Sequence, residues 1–255
     1  MDKVSSNTFR IALGATARSP KDVAMLYALG LDFAEVSLKD MSNFRKSISD
    51  FIALRSKANL FYLCHGPNEG DPNDTTYLRE HYLPRILEIL DMMPKLNMSL
   101  LTLHLWVDHR FVKAPVIDFK IDLLREIIDK ARERTITICL ENLSEDCNDL
   151  DKVFKALSHL YLTLDIGHAQ LLRHKTVAFD LIMAYFQKIR YLHLHDNRGG
   201  NSVNDDLHLP VGDGTVDFQG ILGALKASGY KGTATLELKP HEIKRCLPFV
   251  RTLLW

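Results

Sequence analysis

The chain contains few cysteines and no long hydrophobic run. Its four cysteines show no CxxC spacing, and two of them lie inside apolar runs, which is typical of free thiols in a reducing compartment. No stretch approaches the ~18 consecutive apolar residues of a membrane span, and residues 1–20 lack the apolar segment of a signal peptide. We therefore expect a cytoplasmic protein that does not cross a membrane.

The chain also lacks a net charge and a recognisable linker. Lys and Arg together number 32, as do Asp and Glu, so no global basic field would attract nucleic acid or an anionic membrane. No Pro/Gly/Ser-rich or low-complexity tract divides the sequence, and its 46% of apolar residues can build a large core. We expect one domain over residues 1–255.

Short β-rich runs alternate with segments of helical apolar spacing, such as Tyr82–Met93 and Phe119–Ala131, along the whole chain. Eight such units in about 250 residues suit an α/β fold, a single closed (β/α)8 TIM barrel of parallel strands. A doubly wound open sheet would place GxGxxG after its first strand, which residues 14–18 do not match. The predicted strands are Phe9–Gly14, Phe33–Leu38, Leu60–His65, Leu100–Leu105, Thr135–Glu141, Leu160–Ile166, Arg190–Asp196 and Thr233–Leu238.

Six of these strands carry, at or near their carboxyl ends, a side chain that can bind a metal. In a barrel those ends open onto one face, where such enzymes build their active sites, so the six side chains should converge. The leucines that alternate with them should face the helices. Without a cation, the converging groups would leave costly uncompensated charge. The sequence therefore predicts a divalent metal site formed by His65, His104, Glu141, Asp165, His193 and Glu237.

Imidazole and carboxylate ligands without thiolate indicate Zn, Mn, Co, Fe or Mg. Three further candidates, His168, Asp206 and His208, lie just beyond the strand ends. The last two fall in an irregular segment, residues 197–216, that is rich in Gly, Asn and Asp, and a loop of this length is more often functional than idle. Ordinary hydrogen-bonded or exposed roles are expected for His81, His109, His159, His174 and His241.

Seven short motifs follow one another along most of the chain. They are Cys-His65-Gly-Pro, Thr-Leu-His104, Leu-Glu141-Asn142, Leu-Asp165-Ile-Gly-His168, His193-Leu-His195-Asp196-Asn197, the segment from Asp206-Leu-His208 to Gly212-Asp-Gly214, and Leu-Glu237-Leu. Taken together and in this order, they resemble the xylose isomerase-like barrel superfamily, which includes sugar epimerases, hydroxypyruvate isomerases and the endonuclease IV branch.

The isomerase and epimerase members imply one divalent ion, Mn, Zn, Co or Mg, and a sugar or sugar-phosphate substrate. Two glutamates then flank the sugar, one removing the proton beside the carbonyl and the other returning a proton after an ene-diolate forms. By resemblance, Glu141 and Glu237 are this catalytic pair. The residues that match the metal ligands of these members are Glu141, Asp165, His193 and Glu237.

Four residues are candidates for contact with the substrate. His168 and Arg198 match positions where related epimerases hold substrate oxygens, although the segment that carries them is one residue shorter here. His195 shares a strand face with His193, and its alternative role is to hold a metal ligand in place by a hydrogen bond. Glu35, at the end of the second strand, is a weaker candidate for substrate contact.

The endonuclease IV branch implies three zinc ions and phosphodiester hydrolysis instead. The acidic residues in positions 66–74 and the lack of a basic strip before Asp206 disfavour nucleic acid, so we favour a small carbohydrate as the partner. A non-catalytic metal-binding barrel is a third interpretation. The nine residues that match the zinc ligands are His65, His104, Glu141, Asp165, His168, His193, Asp206, His208 and Glu237.

Overall fold

The computed structural model describes residues 10–58 and 60–255, in which parallel strands close into one barrel in sequence order. The strands β1 to β8 are Ala12–Ala17, Phe33–Ser37, Phe61–His65, Leu100–Leu103, Thr137–Glu141, Leu160–Asp165, Ile189–Leu194 and Thr233–Leu236. An α-helix lies between consecutive strands and another follows the last, and in chain order α1 to α8 are Pro20–Ala28, Met41–Ala58, Leu83–Met92, Ala114–Arg132, Cys147–Ala156, Ala178–Tyr185, Phe218–Ala227 and Pro240–Leu254. The predicted (β/α)8 fold is therefore confirmed.

Several short helical turns complete the connections. Thr75–Tyr77 and the π-helical turn Leu78–Tyr82 lead into α3 without a break, so the predicted helix Tyr82–Met93 begins earlier than expected. The remaining turns, all of the 3-10 type, are Met93–Leu96, His168–Gln170, Phe186–Lys188 and Val203–Asp205. No helix in residues 10–58 and 60–255 is long and apolar enough to cross a membrane.

The barrel interior changes from apolar to charged along the strands. Phe33, Leu63 and Tyr191 form a small apolar cluster at its amino-terminal end. One layer higher, the hydroxyl groups of Thr102 and Thr163 are 2.8 Å apart and hydrogen bonded. Because strand residues two apart share a face, the next layer belongs to the predicted metal ligands. The alternation thus delivers titratable side chains to the carboxyl-terminal face.

The opposite faces of the strands pack against the helices, as the alternation predicts. The leucines expected there are all buried in the large hydrophobic cluster between barrel and helices, which is separate from the cluster inside the barrel. Burial of this much apolar surface is the main source of stability in such a fold. These leucines are Leu101, Leu103, Leu140, Leu162, Leu164, Leu192, Leu194, Leu236 and Leu238.

Three strands begin later than predicted, and the smallest shift is that of β3, which begins at Phe61 rather than Leu60. β1 runs over Ala12–Ala17 rather than from Phe9, which lies outside the described residues, to Gly14. Gly14 lies within β1 and pairs with Phe33 of the neighbouring strand β2. A Cβ atom at residue 14 would lie 2.4 Å from the Phe33 ring, so this position favours glycine. β5 begins at Thr137 because Thr135 has a φ of 57° and closes the turn after α4.

Five strands end earlier than predicted, and β2 is one of them, since it ends at Ser37 rather than Leu38. His104 and Glu237 directly follow β4 and β8 rather than lying within them, and Ile166 and Asp196 likewise lie beyond the ends of β6 and β7. The strand ladder stops there because the chain turns towards the helices. These residues nevertheless stay at the barrel mouth.

A buried ion pair joins the loops that follow β3 and β4. Lys120, fully buried in α4, lies 2.6 Å from Glu69 Oε2 and donates a hydrogen bond to the carbonyl oxygen of Trp106. Glu69 Oε1 accepts a hydrogen bond of 2.6 Å from the Trp106 amide. The pair thereby fixes the loops that begin at His65 and His104.

The acids of the segment after β3 have different environments. Glu69 is buried and neutralised by Lys120, so it does not repel a phosphate, and the side chain of Asp74 accepts a hydrogen bond from the Tyr77 amide at a helix start. Only Asp71 remains an exposed acid without a capping role at a helix. The preference for a carbohydrate over nucleic acid as the partner stays a prediction.

The buried pair predicts the effect of two substitutions. Lys120→Met should lower the free energy of unfolding by about 3–5 kcal/mol, because Glu69 then keeps a buried charge without a partner. Adding Glu69→Gln should recover part of that loss, and denaturant titration measures both. As a control, Lys155→Met removes the exposed pair with Asp151 and should change stability little. A double variant as unstable as Lys120→Met would contradict this explanation.

Candidate metal centre

Four carboxylate and imidazole side chains meet at the carboxyl ends of β5 to β8. Glu141 ends β5, Asp165 ends β6, His193 lies near the end of β7, and Glu237 follows β8. Each offers one ligand atom, and these atoms all lie within 4.8 Å of one another. The first three side chains are fully buried, and Glu237 is 12% exposed. The structure thus brings together the four residues predicted as a one-ion site.

Glu141 lies at the centre of the wider cluster. Its Oε2 atom is 2.8 Å from His104 Nε2, 3.4 Å from His65 Nε2 and 3.3 Å from His193 Nδ1. Its other oxygen, Oε1, is 3.2 Å from His168 Nδ1. One carboxylate therefore contacts four imidazoles, and His65, Glu141 and His193 form a second possible ligand group.

A third ligand group lies beside the first and includes one residue that was not predicted to be a ligand. This group consists of His168, Asp206 and His208 together with His195, which was expected to contact the substrate or a metal ligand. His195 Nε2 lies 3.1 Å from Asp165 Oδ1, and its ring stacks on that of His208 with centroids 3.9 Å apart. All nine residues of the predicted three-ion set lie in one continuous cluster.

Asp196 holds the long loop that carries Asp206 and His208. Its buried carboxylate accepts hydrogen bonds from four backbone amides. The backbone of Asp196 also forms an antiparallel β-bridge with Leu209, in which each residue donates its N–H to the carbonyl oxygen of the other. Gly214 is required at this point, because a Cβ atom there would be 2.2 Å from Asp196 Oδ1 and from Asn197 O. The four amides belong to Asn197, Gly212, Gly214 and Val216.

Two asparagines fix the neighbouring strand ends. Asn142 donates to the Asp165 carbonyl and accepts from the Asp165 amide, both at 2.9 Å, so it joins β5 to β6 where the ladder stops. Asn197 donates a hydrogen bond of 2.7 Å to the carbonyl oxygen of Gly167. These positioning residues were not identified as site residues from the sequence, although they stand inside the Glu141-Asn142 and His195-Asp196-Asn197 motifs.

The residues predicted to contact substrate occupy different environments. Glu35 is fully buried and its Oε1 lies 3.0 Å from His193 Nε2, so it orients that imidazole from behind. His195 is also fully buried, whereas Arg198 is exposed and does not line the cavity described below. Of the four, only His168 lines that cavity.

The centre contains buried polar atoms that no hydrogen bond satisfies. Among the described residues, these atoms include Glu141 Oε1, Asp165 Oδ2, His193 Nδ1, both ring nitrogens of His195, and Asp206 Oδ1. Such atoms are costly to bury, yet several lie near one another at angles unsuited to hydrogen bonds. Lone pairs that point to a common centre are what a metal ion requires. The donor set of nitrogen and oxygen therefore fits a divalent ion.

When no metal is bound, neighbouring charges favour the ionised forms of Glu141 and Glu237 and the cationic form of His208. Burial alone would raise the pKa of Glu141, but the charges of His104 and His193 hold it well below its usual range. Glu237 behaves similarly, and its pKa lies at about 2. Burial opposes protonation of His208, yet Asp206 and Glu237 raise its pKa to about 9.

A cavity of about 550 Å³ opens above the centre, within the range of roughly 300–1,000 Å³ that is usual for small-molecule sites. Its floor includes His65, His104, His168, Asp206 and Glu237. The cavity is thus large enough for a carbohydrate and reaches both the predicted acid–base glutamate Glu237 and the third ligand group.

A fourth group of potential ligands lies away from this cavity and has another explanation. Asp108, His109 and Asp149 are close together, but Arg110 and Arg173 pair with the two carboxylates. His109 forms a hydrogen bond with Asp149 and is exposed. These five side chains form an ion-pair network that ties the loop after β4 to α5, so the ordinary role expected for His109 holds.

The fold and this cluster define a barrel with a candidate metal centre, and comparison with known proteins gives the family. The chain belongs to the xylose isomerase-like TIM barrel family, whose model matches residues 23–252. It is 26% identical over 218 residues to the uncharacterized protein MJ1311 of Methanocaldococcus jannaschii, covering 76% of this chain and 70% of that protein.

Two solved structures share the fold over nearly their whole length. A D-tagatose 3-epimerase-like protein superposes with a TM-score of 0.82 at 21% identity, covering 96% of this chain and 97% of that chain. The IOLI protein with a bound zinc atom gives a TM-score of 0.81 at 16% identity, covering 96% and 98%. At these identities the similarity shows a shared barrel architecture.

The elevated histidine pKa values predict that metal binding is tighter at higher pH. Carboxylates around His168 and His193 outweigh burial and raise the pKa of each well above its usual value, so protons must leave before a metal binds. The dissociation constant should fall about tenfold per pH unit for each proton released. Chelator competition at several pH values, with calorimetry in buffers of different ionisation enthalpy, measures this effect.

His109→Ala provides the control, because this residue lies outside the centre and should leave the pH dependence unchanged. Metal affinity that stays constant between about pH 6 and pH 9, without proton release, would show that the centre is not built as described.

Asp196→Asn should loosen the long loop without unfolding the barrel. The amide keeps one acceptor oxygen and turns a donor towards backbone amides, at a cost of about 1–3 kcal/mol for each amide left unpaired. Hydrogen exchange in residues 197–216 should accelerate and binding by the third ligand group should weaken. The matched control is Asp213→Asn, in the same loop but paired with Arg245 at the surface. Equal exchange in both variants would contradict a positioning role for Asp196.

Proposed function

We propose that the protein is a divalent-metal-dependent isomerase or epimerase of a small carbohydrate. The observation that carries this proposal is the grouping of Glu141, Asp165, His193 and Glu237 at the mouth of the barrel, beneath a cavity of carbohydrate size. The similarity in fold to a D-tagatose 3-epimerase-like protein supports it. We infer that the metal is Zn, Mn, Co or Mg.

Glu141 and Glu237 are the proposed acid–base pair. Glu141 ends β5 and Glu237 directly follows β8, with ligand atoms within 4.8 Å of one another, and nearby charges keep both carboxylates ionised at neutral pH. One carboxylate removes the proton on the carbon beside the substrate carbonyl, and the other returns a proton to the ene-diolate. Return on the opposite face inverts that carbon, whereas return to the neighbouring carbon exchanges ketose and aldose.

A divalent ion bound here would polarise the substrate carbonyl and stabilise the negative charge that develops on its oxygen. The surrounding side chains prepare the site for this step. Glu35 holds His193 in one orientation, and Asn142 fixes the backbone of Asp165. Because these groups are buried, water does not compete for their hydrogen bonds.

Proton transfer predicts exchange of a carbon-bound hydrogen with solvent. Metal-loaded protein incubated in D2O with a panel of ketoses and ketose phosphates should incorporate deuterium, which NMR or mass spectrometry detects. Glu141→Gln and Glu237→Gln should each slow exchange about 100-fold or more. Metal content is measured in parallel, so that loss of the ion is distinguished from loss of the proton carrier.

Glu242→Gln is the matched control, since Glu242 lines the same cavity but accepts its hydrogen bond from the Lys239 amide instead of joining a ligand group. Its exchange rate should stay within a few-fold of the original. Absence of deuterium in every sugar tested, with the metal bound, would overturn the proposed reaction.

A second candidate function is phosphodiester hydrolysis by three zinc ions. The observation in its favour is the third ligand group, His168, His195, Asp206 and His208, which a one-ion isomerase does not require. Three zinc ions per chain, together with cleavage of abasic DNA that Asp206→Ala abolishes, would establish this function. One ion per chain with intact abasic DNA would exclude it. A non-catalytic barrel would bind metal but show neither activity.

A further inference from the structure

The potential metal ligands are distributed unevenly around the barrel mouth. They come from β3 to β8 and from the loops that follow those strands. β1 contributes no ligand, and the single acid on β2, Glu35, lies behind His193. The sector formed by β8, β1 and β2, which are neighbours in the closed sheet, therefore has a different chemistry.

Cations line the cavity in that sector. Arg18 directly follows β1, Lys39 lies two residues after β2, and Lys239 lies three residues after β8. All three line the same cavity of about 550 Å³ that reaches the candidate metal centre. The hydroxyl-bearing side chains Thr16 and Ser37 line it beside them.

The charged ends of these three side chains have no protein partner in the part of the chain that the structure describes. Two acids occur on the same wall, but each is engaged with backbone amides. Asp22 accepts from the Arg18 amide at 2.9 Å, and Glu242 accepts from the Lys239 amide at 3.0 Å. Thr16 Oγ1 is also buried without a hydrogen-bond partner among these residues.

Three unpaired cations in one wall of a concave site favour a multiply charged anion. A phosphate monoester carries a charge of about −2 at neutral pH and offers three acceptor oxygens, which matches three cationic donors. No other Lys or Arg of the described residues lines this cavity, so the anionic end of the substrate would lie on this side. The reacting carbons would then lie over the candidate metal centre.

We propose that Arg18, Lys39 and Lys239 form a phosphate subsite, and that the substrate is a carbohydrate whose distal end is phosphorylated. This proposal rests on the proposed function for the identity of the carbohydrate, but the subsite itself is defined by the cations alone.

Titration calorimetry of the Mn-loaded protein with inorganic phosphate tests the subsite without turnover. The Arg18→Ala/Lys239→Ala double variant should weaken phosphate binding at least about tenfold, since it removes two charge-assisted hydrogen bonds to the anion. Arg18→Lys should retain most of the affinity because it keeps the charge. Lys244→Ala is the matched control, an exposed lysine of α8 that does not line the cavity, and should change affinity less than twofold.

Equal phosphate affinity in the original protein and the double variant would overturn the subsite, because the anion would then bind only at the metal. A loss of equal size in Lys244→Ala would overturn it as well, since it would reveal a general effect of net charge. None of the altered residues belongs to a ligand group, so metal content should be unchanged in every variant.

The deuterium exchange assay provides an independent readout. A phosphorylated ketose should have a lower KM than its unphosphorylated counterpart, and the double variant should remove this difference, whereas Lys244→Ala should retain it. A preference for phosphorylated sugars that survives in the double variant would contradict the subsite. If no sugar exchanges at all, the proposed function fails, while the phosphate titration still decides the subsite.

Discussion

The buried carboxylate of Glu141 is the constraint on which the rest of the site depends. It lies at the end of a barrel strand with no exposed surface, and its two oxygens contact imidazoles from four different segments of the chain. A charge in this position is tolerated only when positive charge surrounds it, whether from protonated histidines or from a metal ion. The favoured ionisation of Glu141, the proposed binding of a cation and the proposed proton transfer all depend on this arrangement.

Neighbouring residues hold the candidate metal ligands in place through hydrogen bonds and an ion pair. Asn142 joins the ends of β5 and β6, Asp196 gathers four backbone amides of the long loop, and the Glu69–Lys120 pair fixes the loops after β3 and β4. Each satisfies backbone or charged groups that would otherwise be buried without partners. The candidate metal ligands are therefore held by hydrogen bonds that are independent of any ion.

Much of the fold and the ligand cluster could be predicted from the sequence because both leave local patterns. Alternation of leucine with polar residues identified the faces of the strands, and the strand ends located the convergent side chains. The strand bounds were less accurate where Gly14 and Thr135 respond to packing and turn geometry. Contacts across the barrel, such as Glu35 with His193, join residues 158 positions apart and leave no local signal. The proximity of Arg18, Lys39 and Lys239 likewise leaves no local signal, because these residues share a cavity only when β8 pairs with β1.

The most direct test of the account is the position of the ion, determined by anomalous diffraction from a crystal of the Mn-loaded protein. The account predicts a strong peak within about 2.0–2.6 Å of oxygen or nitrogen atoms of Glu141, Asp165, His193 and Glu237. A crystal in which these four side chains bind no ion, while Mn occupies another part of the molecule, would contradict the central claim.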